Sequence, residues 1–164
     1  MTHPTWQLDL EKGALILTPC PGTKDADLDA SLAQLKAQGV EAIVTALDSE
    51  ELASKNVSEL GEKAQALGMQ WFQIEIEDDC APGADFAQKW QTASPELHQV
   101  VDNGGKVAMH CMGGSGRTGL FAAHLLLEKG WDLDKIVQEV KALRPGAFTK
   151  PIQVEYIHGV ALHT

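Results

Sequence analysis

The chain has 164 residues, a formal net charge of −10, and about a quarter of its residues are Leu, Ile, Val or Phe. That length fits one domain, residues 1–164, and that apolar share excludes disorder as the default state. An acidic surface field repels nucleic acid and anionic membrane, both of which are bound mainly through Lys and Arg, so neither is expected as a partner. The N-terminal Met1-Thr2-His3-Pro4-Thr5 shows no basic segment with an apolar run behind it, and no apolar stretch reaches the length of a membrane span. The expected location is therefore cytoplasmic.

In chain order, Trp6–Leu10 and Ala14–Thr18 read as two strands joined by a turn at Lys12-Gly13. Leu28, Leu32 and Leu35 share one helical face, with Asp25 or Asp27 at its start and Gly39 past its end. Val40–Ala46 is a buried strand, Ser58–Leu67 a helix closed by Gly68, and Trp71–Ile76 a further strand followed by an acidic loop, Glu77 to Gly83. Helical sequence resumes at Ala84 and is punctuated at Ser94-Pro95-Glu96, where Ser94 reads as an N-cap and Pro95 as a first helical residue. Lys106–His110 is a strand, Cys111–Gly116 a glycine-rich turn, and Arg117 to about Lys129 a helix apolar nearly all round, hence central. Leu133 to Leu143 forms an amphipathic helix capped by Asp132 and stopped by Arg144-Pro145-Gly146, and a last helix starts at Thr149 and Pro151. This alternation predicts an α/β fold, a mostly parallel sheet of about five strands with helices on both faces.

The segment with chemical content is His110-Cys111-Met112-Gly113-Gly114-Ser115-Gly116-Arg117-Thr118-Gly119. It lies between a buried strand and the start of a buried helix, where ligands collect in open α/β sheets and where unpaired N–H groups attract anions. Gly113, Gly114 and Gly116 let the turn curl so that successive N–H groups converge into an anion-binding nest. The same field acts on Cys111 and favours its thiolate, making it a candidate nucleophile, and Arg117 can fold back to grip a tetrahedral oxyanion. The three cysteines, Cys20, Cys80 and Cys111, form neither a disulfide framework nor a C-x-x-C pair, and the six histidines show no metal-ligand spacing, so no metal or other cofactor is expected. His124 and Met109 read as packing residues.

This segment resembles the signature H-C-x-x-G-x-x-R-T-G of the cysteine-dependent protein phosphatases, in particular the dual-specificity branch. Leu17-Thr18-Pro19-Cys20-Pro21-Gly22, Ile76-Glu77-Asp78 and Gln153-x-x-Tyr156 extend the likeness to the kinase-associated phosphatase group. The resemblance implies a tyrosine-phosphatase-like fold and a metal-independent phosphomonoester hydrolase with a cysteinyl-phosphate intermediate. It implies roles too. Cys111 would attack phosphorus, while the N–H groups from Met112 to Gly116 and Arg117 bind the phosphoryl oxygens. Asp78 would protonate the leaving group, with Asp79 as the neighbouring alternative. Thr118 would donate to the sulfur, His110 would fix the loop, and Gln153 would orient the hydrolytic water. Cys80 reads as a passive loop cysteine, with a disulfide to oxidised Cys111 as the alternative.

The resemblance implies a phosphoprotein or phosphopeptide substrate but no particular kinase partner. Lysines that neutralise extra phosphates in lipid phosphatases are missing from positions 112–115, which disfavours lipid headgroups. With Tyr156 the only tyrosine, there is no tyrosine-bearing loop to build a deep pocket, so phosphoserine and phosphothreonine are expected beside phosphotyrosine. Two other classes stay open, a thiol-dependent arsenate reductase, for which Cys80 is the only nearby candidate resolving thiol, and a phospho-binding module without turnover.

Overall fold

In the computed structural model, which describes residues 2–163, twelve elements are arranged as a five-stranded sheet between two helical layers. Met1, the first residue of the stretch read for a leader, and Thr164 lie outside the described residues. The strands are β1 (Trp6–Asp9), β2 (Ala14–Thr18), β3 (Val40–Thr45), β4 (Gln70–Gln73) and β5 (Lys106–His110), in the spatial order β1-β2-β5-β3-β4. Only β1 runs antiparallel to its neighbour, and the β2–β5, β5–β3 and β3–β4 pairs are parallel. Strand β5 is therefore central, and the chain leaves its carboxyl end where the sheet is deepest.

The alternation along the strands sorts side chains onto two faces. Leu15, Leu17, Ala42, Val44, Val107 and Met109 join one buried cluster, while Ile16, Val40, Ile43 and Ala108 join another. The second face is covered by α1 (Leu28–Ala37), through Leu32 and Leu35, and by α3 (Leu60–Ala66), through Ala64. The first is covered by α4 (Phe86–Asp102), α5 (Gly116–Glu128), α6 (Leu133–Leu143) and α7 (Pro151–Leu162). Helix α5 has ten of its thirteen residues buried, which is why its sequence is apolar all round.

The structure departs from the sequence reading in three places. Helix α4 runs unbroken through Ser94-Pro95, so Pro95 is internal and Ser94 is not an N-cap. The Ser94 hydroxyl instead donates to Glu128 on α5, which also accepts from Trp90 and His98. This cross-helix cluster, with Trp90, Ala93 and Leu97 buried on the same face, holds the helix through a proline whose i−4 carbonyl belongs to exposed Gln91. Strand β4 ends at Gln73, although the Ile74 and Ile76 N–H groups still donate to Thr45 and Ala46. A short helix, α2 (Ser49–Ser54), went unpredicted, yet it opens with a complete capping box, Asp48 and Glu51 each bonding the other's backbone N–H. At other helix starts, Asp27 rather than Asp25 caps α1, and Asp132 stands at the N-cap of α6 without a side-chain bond.

Candidate active site

Residues 111–115 connect β5 to α5 and wrap around the cysteine sulfur. The curl needs glycine at 114. Its φ is +81°, and a Cβ there would lie 2.6 Å from the Pro19 nitrogen and the Thr18 carbonyl carbon. That close approach seats the loop on the end of β2, where the Cys20 N–H also donates to the Met112 carbonyl at 3.1 Å. The Cys111 thiol is buried, with the Gly114 N–H 3.3 Å and the Thr118 hydroxyl 3.2 Å from Sγ. Above it opens a cavity of about 350 Å³ lined by the loop residues Met112, Gly113, Ser115 and Gly116, by Arg117, and by Asp78, Asp79 and Gln153. Gly114, Thr118 and His110 lie behind this surface rather than on it.

The Arg117 side chain is only 2% exposed and folds back toward the sulfur loop. Its Nη1 donates to both carboxylate oxygens of Glu51, at 3.0 and 3.1 Å, and to the Ile76 carbonyl at 3.0 Å. Nη2 lies 3.6 Å from the Asp78 carboxylate. Nε is buried with no partner among the described residues, which leaves one guanidinium donor uncommitted beside the cavity. Glu51 is the site residue that sequence reading missed. Its signal was the Asp48-x-x-Glu51 capping box, because one carboxylate both starts α2 and holds Arg117.

His110 is fully buried at the end of β5 and its partners define its tautomer. Nδ1 faces the Cys111 carbonyl, which can only accept, so in the neutral ring Nε2 accepts from the Thr45 hydroxyl 2.7 Å away, while Trp71 Nε1 donates to that hydroxyl at 2.8 Å. The ring proton is on Nδ1, 3.1 Å from that carbonyl. Burial holds the imidazole neutral, down to about 4, with the positive charges of His3 and Arg117 adding to the effect and the bond to Cys111 opposing it. On the far side, Gln153 is 1% exposed; Nε2 donates to the Cys80 carbonyl at 3.0 Å, while Oε1 is unpaired and sits beside Gly116. Asp79, the alternative acid, is at φ +61° and turns its carboxylate to within 3.6 Å of Lys150; Lys150 also lines the cavity and was not singled out in the sequence. His124 and Met109 are packing residues, as their positions implied.

All three cysteines are free thiols. Cys80 was the one candidate partner for Cys111 in the sequence, but Cys20 also lies at the loop and its charge couples to that of Cys111. Burial pushes the Cys20 thiol up to about 12; the negative charges of Cys111 and Glu51 reinforce this and Arg117 partly offsets it. A thiol held so high attacks disulfides poorly at neutral pH, which weighs against its serving as the resolving group of a reductase.

A central parallel sheet with an anion-receptive cysteine loop at its switch point, backed by an inward-folded arginine, defines the protein tyrosine phosphatase class. Comparison with known proteins narrows this. Residues 21–131 match the family model "Polymorphic toxin system, DSP-PTPase phosphatase", and the chain belongs to that family. It is 33% identical over 89 residues to the tyrosine-protein phosphatase CDC14 of Candida albicans, covering 54% of this chain and 15% of that protein, and 31% identical over 98 residues to CDC14 of Saccharomyces cerevisiae, covering 59% and 16%. The chain thus spans only a small part of those relatives. Among solved structures, the kinase associated phosphatase carrying a serine in place of its catalytic cysteine superposes with a TM-score of 0.87 at 24% identity, over 99% of this chain and 96% of that one. Tk-PTP in its active form gives 0.73 at 24% identity, over 92% of each chain. At these identities the structural matches speak to the fold. Among the described residues no helix is long and apolar enough to cross a membrane.

Proposed function

We propose that this protein hydrolyses phosphomonoesters on phosphoproteins through a cysteinyl-phosphate intermediate, without a metal ion. The observation that carries the reading is the environment of Cys111 Sγ: it faces the Gly114 N–H and the Thr118 hydroxyl at a cavity that Arg117, whose buried Nε is unpaired, also lines. The thiolate of Cys111 attacks phosphorus and the bond to the ester oxygen breaks. The loop N–H groups from Met112 to Gly116, with Arg117, take up charge on the equatorial oxygens. Asp78, which lines the cavity beside Arg117, gives its proton to the departing oxygen, while Asp79 is engaged by Lys150. Water then attacks the thiophosphoryl group, returning a proton to Asp78, and Thr118 donates to the sulfur as it leaves. The unpaired Oε1 of Gln153, held by the bond from Nε2 to Cys80, accepts from that water. His110 holds the base of the loop through the Cys111 carbonyl.

The loop side chains at 112–115 carry no cation for a second phosphate, and Tyr156 is bonded to His124 rather than standing at the mouth. The first feature weighs against lipid headgroups, and the second, which leaves the mouth without a tyrosine wall, supports phosphoserine and phosphothreonine beside phosphotyrosine. The test is hydrolysis of an aryl phosphate and of phosphopeptides by purified protein in chelator. Turnover that disappears in Cys111→Ser, with phosphopeptide binding kept, supports the reading; a Cys111→Ser variant retaining a tenth of the rate overturns it.

A further inference from the structure

Arg144 lies outside the signature and was read only as the end of α6, yet its side chain reaches the back of the cysteine loop. Nη2 donates to the Gly113 carbonyl at 2.7 Å and Nε to the Gly114 carbonyl at 3.1 Å. The other face of its guanidinium lies against Trp6 of β1, with Cζ 3.8 Å from a ring centroid. The turn that carries it is pinned as well: the Ala147 N–H bonds the Arg144 carbonyl, Lys141 bonds the Ala147 carbonyl, and Thr149 bonds the Gly146 carbonyl. Gly146 presses on the loop itself, since a Cβ there would lie 3.2 Å from that of Ser115.

We infer that Arg144, stacked on Trp6, is a positioning residue that locks two peptide units of the loop with their N–H groups turned toward the sulfur and the phosphoryl site. A trans peptide is planar, and its C=O and N–H point in opposite directions, so holding the oxygen on the outside fixes the hydrogen on the inside. The first unit has its oxygen on Arg144 and its nitrogen, that of Gly114, on Cys111 Sγ. The second has the Gly114 oxygen on Arg144 and presents the N–H of Ser115, a residue that lines the cavity. A cation on the carbonyl side also polarises each peptide and strengthens the donor on the other side. Burial lowers the affinity of Arg144 for its proton, and the negative charge of Cys111 opposes this, as expected if the two charges feel one another through the loop. Lysine cannot reproduce the arrangement, because one ammonium cannot span two successive carbonyls while lying flat on an indole.

This inference rests on the proposed function, but two of its readouts need no turnover. The variants are Arg144→Lys, Arg144→Gln and Trp6→Leu, with Lys135→Gln, which removes a cation–ring contact elsewhere on Trp131, as the control. The measurements are the pH profile of Cys111 alkylation by iodoacetamide, the affinity for orthovanadate, kcat and KM with an aryl phosphate, and thermal unfolding. In variants that unfold as cooperatively as wild type, Arg144→Lys should bind vanadate about tenfold more weakly and Arg144→Gln more weakly still, as expected for the loss of charge-assisted bonds. The alkylation profile should move to higher pH, kcat should fall more than KM rises, and Trp6→Leu should show the same pattern in smaller measure. The control should match wild type. Wild-type vanadate affinity and alkylation profile in the folded Arg144 variants overturn the inference, and if those do not fold, the same result in Trp6→Leu overturns it. A wild-type protein that binds vanadate in this pattern but hydrolyses nothing contradicts the proposed function and leaves the role of Arg144 supported.

Discussion

Replacing Glu51 by glutamine tests whether α2 serves the site or only caps itself. The wild-type carboxylate takes both oxygens to Arg117 Nη1, at 3.0 and 3.1 Å, and is 28% exposed, whereas the arginine is 2% exposed. Glutamine keeps one acceptor oxygen and the length of the side chain but removes the charge. The loss is then the difference between a charged and a neutral hydrogen bond to a buried cation, about 1–2 kcal/mol. Breaking a fully buried pair costs more, about 3–5 kcal/mol, but water can reach Glu51 and the Ile76 carbonyl still accepts from Nη1, so the lower figure applies. Expressed in catalysis, this is a drop in kcat/KM of about 5–30-fold, since Arg117 swings from a fixed to a looser orientation while phosphorus is attacked. The assay is steady-state hydrolysis of an aryl phosphate, with Glu50→Gln as control, because Glu50 is exposed on the same helix turn. Glu51→Gln with kcat/KM within twofold of wild type would refute the assignment of Glu51 as the residue that holds Arg117.

Three further outcomes follow from the geometry. Asp78→Asn should lower kcat by about 10²–10⁴-fold for a poor leaving group and less for a good one, whereas Asp79→Asn should change it little; the reverse pattern moves the acid to Asp79. His110 and His124 are held neutral by burial to about 4. Because each binds its proton near 6.5 once unfolded, the unfolded state gains protons first as pH falls, so stability present above 6.5 is lost down to about 4 and levels below it. The loss is about 3 kcal/mol per histidine, and urea unfolding should show it, with about half of this acid-dependent loss missing in His124→Gln; an equally steep loss in that variant contradicts the account. Peroxide should abolish aryl phosphate hydrolysis, with vanadate protecting it by filling the loop; a loss no faster than the oxidation of free cysteine and indifferent to vanadate argues against an activated Cys111.

The parts of the fold visible in the sequence were those where local pattern and tertiary structure agree. Val40–Ala46, read as a buried strand, reappears in β3 with residues packed on both sheet faces, and the all-round apolar sequence of α5 as its central burial. Pro95 misled because a local breaker was outweighed by contacts made 34 residues away, between Ser94 and Glu128. The cysteine loop was legible because an anion nest of this kind requires contiguous residues, glycines for the curl and an arginine six places after the cysteine. Glu51 and Arg144 were not, since each acts through a partner more than 30 residues distant, Arg117 for one and Gly113 for the other. Arg144 carries no periodicity or spacing, and the capping box that marks Glu51 says nothing of Arg117; only the chain's return to the end of β5 reveals both roles.

The central claim is that phosphate passes through a covalent bond to Cys111. Thr118→Ala removes the hydroxyl that lies 3.2 Å from the sulfur, and should slow release of the phosphoryl group more than its capture. Rapid acid quench of this variant during turnover of an aryl phosphate, followed by peptide mass spectrometry, should find one phosphoryl group on the peptide bearing Cys111, matched by a stoichiometric burst of released phenol. A variant that turns over with no burst and no phosphoryl group on that peptide, or with the group on another residue, contradicts the account.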